Sequence, residues 1–366
     1  MTRVLLRPIV AVLLLAGVLV AGSPATAAVT PGTVLVNASA TLPPELSPLA
    51  TGRRINYVTT DVTGSNVTAT GLVLTPRTGK RNQTVVWGHG TTGLADKCAP
   101  SDHQAVFWPE ARAAIAAMLR KGWTVAAPDY PGLGTLAAHP YLIGGSAARS
   151  MIDSVKAARR LDPALTAKYV LDGHSQGGQG ALFGGQLAPA YDGDLVLRGV
   201  VAIAPVSNVD MLAPMIPGTP GQGYLVMALH GLNAVDPSVT PATILAPPAR
   251  LRSPILLTGC LYEILDRFAP LTAAQLLVGG TLPASVVAKL AAYANPANSA
   301  PSAPVLIVQG TADEAVPYDI TAGPLVEKLA TYSQPVEFVP VAGANHDDAV
   351  FATVDTVAAW IEARFA

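Results

Sequence analysis

Charge, aromatic side chains and cysteine are all scarce in this chain of 366 residues, at 13% Asp, Glu, Lys and Arg, 5% Phe, Trp and Tyr, and 2 cysteines. Two cysteines are too few for a small disulfide-built scaffold or a thiolate metal cluster. Lys plus Arg (23) and Asp plus Glu (24) nearly balance. With no basic block beyond the first few residues, nothing in the chain forms an electrostatic footprint for nucleic acid. The 33 glycines and 32 prolines show no G-X-Y period, which excludes a collagen-like rod. There is no H-x-x-x-H spacing, no cluster of Cys and His ligands and no G-x-x-x-x-G-K-[ST] phosphate-binding loop, so neither a metal nor an organic cofactor is expected. Past residue 27 no apolar run reaches the roughly 20 residues of a membrane-spanning helix. What remains is a chain that is 50% hydrophobic and long enough for one large α/β domain or two smaller ones.

The first residues read as an export signal. Arg3 and Arg7 precede the apolar run Ile9 to Ala21, and Ala25-Thr26-Ala27 is a small-x-small cleavage site. Residues 1–27 are therefore expected to be a signal peptide, and the mature protein to be secreted and extracellular. No cysteine follows the apolar run to carry a lipid anchor. Cys98 and Cys260 both survive cleavage, and in an oxidising exterior they are expected to pair, closing a loop of about 160 residues. Sequons stand at Asn37, Asn66 and Asn82. They matter only in a host that glycosylates them, and the Ala-rich, Arg-over-Lys composition argues against such a host.

In the mature chain, Pro-rich residues 28–50 have no sustained period and are expected to lie as an extended surface arm. Strands are expected over 54–60, 67–75, 84–87, 123–127, 169–171 and 197–203, and helices over 108–121, 147–161 and 176–187. The alternation resumes with a strand at 305–309, a helix at 320–332 and a strand at 336–341. Strands alternating with helices predict an α/β fold, a mostly parallel sheet with helices on both faces. The rhythm breaks over 208–302, where helical candidates at 222–232, 255–268 and 285–293 predict an inserted, mainly helical cap. The core is thus expected in two parts, 28–207 with the arm and 303–366.

The chemistry concentrates where Tyr169 to Asp172 runs into Gly173-His174-Ser175-Gln176-Gly177-Gly178. G-x-S-x-G between a strand and a helix makes Ser175 a candidate nucleophile, raised above the sheet on a tight turn. A serine hydroxyl needs a histidine to take its proton and a carboxylate to orient that histidine. His346, in the loop after the last strand, is the candidate base. Asp313, after the strand 305–309, is the candidate acid, with Asp210 and Glu314 as alternatives. Asp347 and Asp348 adjoin the base, but residues next to it in sequence are poorly placed to orient its ring. His174 is expected to pack beside the nucleophile, His89 to support its loop, and His230 in the cap to face solvent or the acyl channel. The oxyanion hole is expected from the backbone N–H of Gln176 and of Thr91, with Thr92 as runner-up. Met211, Met215, Leu225 and Met227 are candidates either for an acyl channel or for plain cap core.

Five fragments carry a family resemblance: Val85 to Gly93 (VVWGHGTTG), Ala127 to Gly134 (APDYPGLG), Asp172 to Gly178 (DGHSQGG), Gly310 to Pro317 (GTADEAVP) and Gly343 to His346 (GANH). With them the chain resembles the α/β-hydrolase fold and, more narrowly, the secretory lipase family of the fungal lipase A type and its actinobacterial relatives. The resemblance implies a secreted serine esterase with a helical cap inserted before the acid-bearing strand, and a triad on Ser175, Asp313 and His346. It departs from the fungal Gly-Tyr-Ser-Gly-Gly elbow at His174 and Gln176, and it lacks the acidic residue that fungal members carry near Thr91 or Thr92. The expected activity is hydrolysis of carboxylic esters of lipids, with another acyl hydrolase (thioester, polyester or peptide) or a nonenzymatic binding role as alternatives. The expected partners are a small ester or lipid and, transiently, a lipid interface, with no nucleic acid and no obligate protein partner.

Overall fold

The computed structural model describes residues 29–366; the expected signal peptide lies outside the described residues. Nine strands form one sheet in the order β1-β2-β3-β5-β4-β6-β7-β8-β9. They are β1 (Val34–Ala40), β2 (Ala50–Thr60), β3 (Asn66–Pro76), β4 (Thr84–Gly88), β5 (Thr124–Pro131), β6 (Lys168–His174), β7 (Val196–Ile203), β8 (Val305–Gly310) and β9 (Val336–Val341). From β5 to β9 neighbouring strands run parallel. The first three strands pair antiparallel and are joined antiparallel to β5.

Side-chain alternation sorts the parallel strands between two apolar layers. Val85 and Trp87 of β4, Val170 of β6, Val201 of β7 and Leu306 of β8 face one layer. There they meet α1 (Pro109–Arg120) and the carboxyl-terminal helix Asp348–Phe365, through Ile115, Met118 and Ile361. Val86, Leu171, Ala202 and Ile307 face the other layer, packed on α2 (Gly144–Leu161) and α3 (Gln176–Tyr191). A sheet covered on both sides explains why these strands read as continuous apolar runs.

Between β7 and β8 the chain leaves the sheet for a helical layer. Its main helices are α4 (Gln222–Val235), α5 (Leu261–Phe268) and α6 (Ala284–Ala294), which share a third apolar cluster around Leu229, Ile264, Phe268 and Leu290. Helix α7 (Asp348–Phe365) closes the chain. Among the described residues no helix is long and apolar enough to cross a membrane.

Several expected elements differ. The arm is not merely extended: residues 34–40 pair with β2 as the edge strand β1, and most of its side chains face solvent, so no alternation marked it. The helix expected over 255–268 is split, because the turn Ser253–Leu257 ends before Gly259 and α5 starts afresh after Cys260. The helix expected over 320–332 is interrupted by a wide turn at Thr321–Leu325. Pro324 lies inside that turn, and its missing N–H and its ring cannot be accommodated in a regular helix.

Candidate active site

Ser175 sits between β6 and α3 at φ 56° and ψ −116°, a backbone conformation that costs a non-glycine residue about 1–3 kcal/mol. The neighbouring glycines make that turn feasible. A Cβ at Gly173 would lie 2.3 Å from the Gly177 carbonyl oxygen, and one at Gly177 would lie 2.0 Å from the carbonyl oxygen of Gly88. The second contact also fixes the relation of two loops, because it presses the end of β4 against the start of α3. The loop that follows β4 therefore passes beside the serine, with a Cβ at Gly90 falling 3.6 Å from Ser175 Cβ.

The structure brings His346 and Asp313 together. His346 Nδ1 donates to Asp313 Oδ2 at 2.7 Å. The same carboxylate oxygen accepts from Gln309 Nε2 at 2.8 Å, while Oδ1 accepts the backbone N–H groups of Ala315 and Val316, each at 2.9 Å. Both oxygens of the acid are thus held by two donors apiece, which fixes the carboxylate for the ring. The close approach again depends on a glycine. A Cβ at Gly310 would lie 2.4 Å from the Ala344 carbonyl oxygen, in the loop that carries His346. Asn345 anchors that loop by accepting the N–H groups of Asp347 and Asp348 at the start of α7.

Ser175 and His346 line one cavity of about 590 Å³, whose walls are mainly apolar side chains of the helical layer, among them Leu212, Ile216, Leu225 and Leu265. Among the described residues the Ser175 hydroxyl has no hydrogen-bond partner within 3.5 Å, which leaves it open to that cavity. Serine–histidine hydrogen bonds commonly tighten only around substrate. Thr91 also lines the cavity. Thr92 turns the other way: its carbonyl accepts the N–H of Leu261 at 2.8 Å and its hydroxyl is buried without a partner. The side chain of Gln176 points away from the serine to His139, Nε2 to Nε2 at 3.1 Å.

The other candidates are placed as follows. Glu314 lies in the cavity wall. Asp210 accepts a hydrogen bond from Asn295 in the helical layer. Asp347 stands 3.9 Å from His174 Nε2, and burial raises its carboxyl above the usual range. His174 is buried, its Nε2 bonds the His346 carbonyl at 3.1 Å, and burial followed by the charge of His346 holds it well below the usual histidine range. His174 is thus neutral and supports the histidine loop. His89 Nδ1 lies 2.6 Å from the Gly90 carbonyl and Nε2 3.3 Å from the Asp129 carbonyl, so the ring supports its loop against β5. His230 is half-buried, and it is neither freely exposed nor part of the cavity wall. The four channel candidates divide, with Leu225 and Met215 in the cavity wall, Met227 fully buried in the helical layer and Met211 exposed. Cys98 and Cys260 form a disulfide.

Sequence reasoning passed over four residues here. Gln309 grips the acid from four positions upstream. Tyr141 and His139 reach the site from the segment before α2. Glu110, in the first turn of α1, is buried and feels the charges of Asp347 and His346. Only Gln309 had a local signal, as a polar residue ending an apolar strand.

A largely parallel sheet with helices on both faces, a serine on a strand-to-helix turn and a helical layer above the carboxyl ends of the strands define an α/β-hydrolase fold. Solved structures of the same fold include lipase A of Candida antarctica in its closed state (TM-score 0.74, 18% identity, 87% of this chain and 78% of that one). Another is the rice cell wall degrading esterase LipA of Xanthomonas oryzae (TM-score 0.74, 20% identity, 92% and 98%). The chain belongs to the secretory lipase family, whose model matches residues 98–366. It is similar to Lipase 7 of Candida albicans, 23% identical over 194 residues that cover 50% of this chain and 45% of that protein. It is also similar to secreted triacylglycerol lipase LIP4 of Malassezia globosa, 28% identical over 199 residues, or 51% and 41%. The match spans less than half the length of these fungal relatives.

Proposed function

We propose that the protein is an exported serine esterase that hydrolyses carboxylic esters of lipids through an acyl-enzyme on Ser175. The observation that carries this reading is the hydrogen-bonded His346–Asp313 pair sharing one large apolar cavity with a strained, unpartnered serine. His346 takes the Ser175 proton as the hydroxyl attacks the ester carbonyl, and Asp313 holds the ring in the tautomer that leaves Nε2 free to accept it. The backbone N–H groups of Gln176 and Thr91 receive the negative charge of the tetrahedral intermediate. The alcohol leaves with the proton from His346, and water then repeats the path to release the acid.

The apolar cavity supports a hydrophobic acyl group, and the printed names of the fungal relatives support a lipid ester and export. Met215 and Tyr262 both line the cavity and are exposed to solvent, which supports transient contact with a lipid interface. The resemblance of its motifs to actinobacterial relatives, together with the Ala-rich, Arg-over-Lys composition, supports a bacterial, actinobacterial source. The test is hydrolysis of p-nitrophenyl esters from short to long acyl chains by the parent and by Ser175→Ala. The parent is expected to be active, and the variant to lose about 10⁴-fold or more in kcat. Comparable rates in the two proteins would contradict the proposal.

A further inference from the structure

The two oxyanion donors of the proposed reaction come from loops far apart in sequence, yet one short segment touches both. His139 Nδ1 lies 2.7 Å from the Pro131 carbonyl, which only accepts, so the ring proton sits on Nδ1 and Nε2 is left to accept from the Gln176 amide at 3.1 Å. Burial holds His139 down to about 4, which keeps it a neutral acceptor at working pH. Two residues on, the Tyr141 hydroxyl meets Thr91 Oγ1 at 2.7 Å inside the cavity that holds Ser175. The Thr91 carbonyl is tied separately by Trp108 Nε1 at 3.2 Å. From above, helix α4 rests on this segment at Gly231, where a Cβ would lie 2.3 Å from the Tyr141 carbonyl oxygen.

Two hydroxyls in one hydrogen bond have two protons between them and use one. From the proposed esterase reading, and resting on it, we infer that Tyr141 is a positioning residue that makes the Thr91 hydroxyl a third oxyanion donor. The Tyr141 O–H donates to Thr91 Oγ1, and the Thr91 proton then turns to the oxygen that becomes negative. Tyr141 stays protonated throughout, since burial raises its phenol far above the usual range. Because the Tyr141 backbone is clamped under α4, its hydroxyl is fixed before substrate arrives, which is the preorganisation such a donor requires.

The experiment measures kcat and KM on p-nitrophenyl butyrate for the parent and for Tyr141→Phe, Thr91→Val, Thr91→Ser, the Tyr141→Phe/Thr91→Val pair and Ser175→Ala. Tyr141→Phe is expected to lower kcat about 10-fold and Thr91→Val about 100-fold, with KM changing less than about twofold in each. Thr91→Ser is expected to recover most of the loss, and the double variant to be no slower than Thr91→Val alone, because Tyr141 acts only through that hydroxyl. An alkylboronic acid, which mimics the tetrahedral state, is expected to bind more weakly in step with kcat, while the product fatty acid binds unchanged. Losses that multiply in the double variant, a change confined to KM, or a Thr91→Val enzyme as fast as the parent would overturn the inference. Should Tyr141→Phe fail to fold, the contrast between Thr91→Val and Thr91→Ser still decides it. A fully active Ser175→Ala would instead sink the underlying esterase reading.

Discussion

Beneath and beside the site stand ionisable side chains that the proposed chemistry does not use, and each is set by its surroundings. Asp172, three residues before the serine, is fully buried with no partner on either carboxylate oxygen, and burial raises it well above the usual range. It sits neutral in the layer beneath the elbow. Glu110 is 4% exposed, and burial, followed by the negative charge of Asp347, pushes its carboxyl up to about 7 against the opposing pull of His346. The folded protein therefore keeps this proton between its ordinary value of 4.5 and about 7, whereas the unfolded chain has released it. Stability falls as pH rises through that window, by about 3 kcal/mol in all. Glu110→Gln removes the ionisation. It is expected to raise Tm relative to the parent at pH 8 and to leave it unchanged at pH 4, read by thermal melts across that range. Parallel melting curves for the two proteins would show that Glu110 ionises freely in the fold.

Among the elements, the link between the helical layer and the sheet is the most consequential. The Cys98–Cys260 disulfide joins the loop after β4 to the start of α5. The same two segments are drawn together by the Gly93–Cys260 bridge and by the Leu261 N–H on the Thr92 carbonyl. Closing a loop over a sequence separation of 162 restrains the unfolded chain by up to about 5 kcal/mol in the chain-entropy account. Replacing both cysteines by serine is expected to lower Tm by several degrees or more, and reductant to have the same effect on the parent; melts with and without reductant measure both. Identical melts would show that the backbone contacts alone hold the two segments. The pairing itself was legible, because an exported chain with two cysteines offers one partner for each. The break at Cys260 was not, since the apolar run 255–268 continues across it and only the need to reach Cys98 and Thr92 ends the first turn. Edge strand β1 and closing helix α7 went unread for opposite reasons. The former buries too little to alternate, and the latter carries apolar side chains such as Phe351 on its exposed side too, which blurs the helical period.

Over the whole molecule, the site is an outcome of sheet topology. Parallel strands deliver their carboxyl ends to one edge, so β6, β8 and β9 carry Ser175, Asp313 and His346 to a common place although 33 residues separate acid and base. That much could be inferred from chain order, because each residue follows its own apolar strand. The braces could not. Tyr141 reaches Thr91 across 50 residues and His139 reaches Gln176 across 37, with no local pattern in either case. Glycines at 173, 177 and 310 instead let the elbow approach the end of β4 and the acid loop approach the histidine loop, which is why the motifs that were readable are the glycine-rich ones. The proposed reaction stands on Ser175 as a nucleophile activated by His346. The most direct measurement is labelling with a fluorophosphonate, with the adduct located by peptide mass spectrometry. One label per chain on Ser175, slowed by orders of magnitude in His346→Ala, is the predicted result. A label on another residue, or one that forms equally fast without His346, would contradict the account.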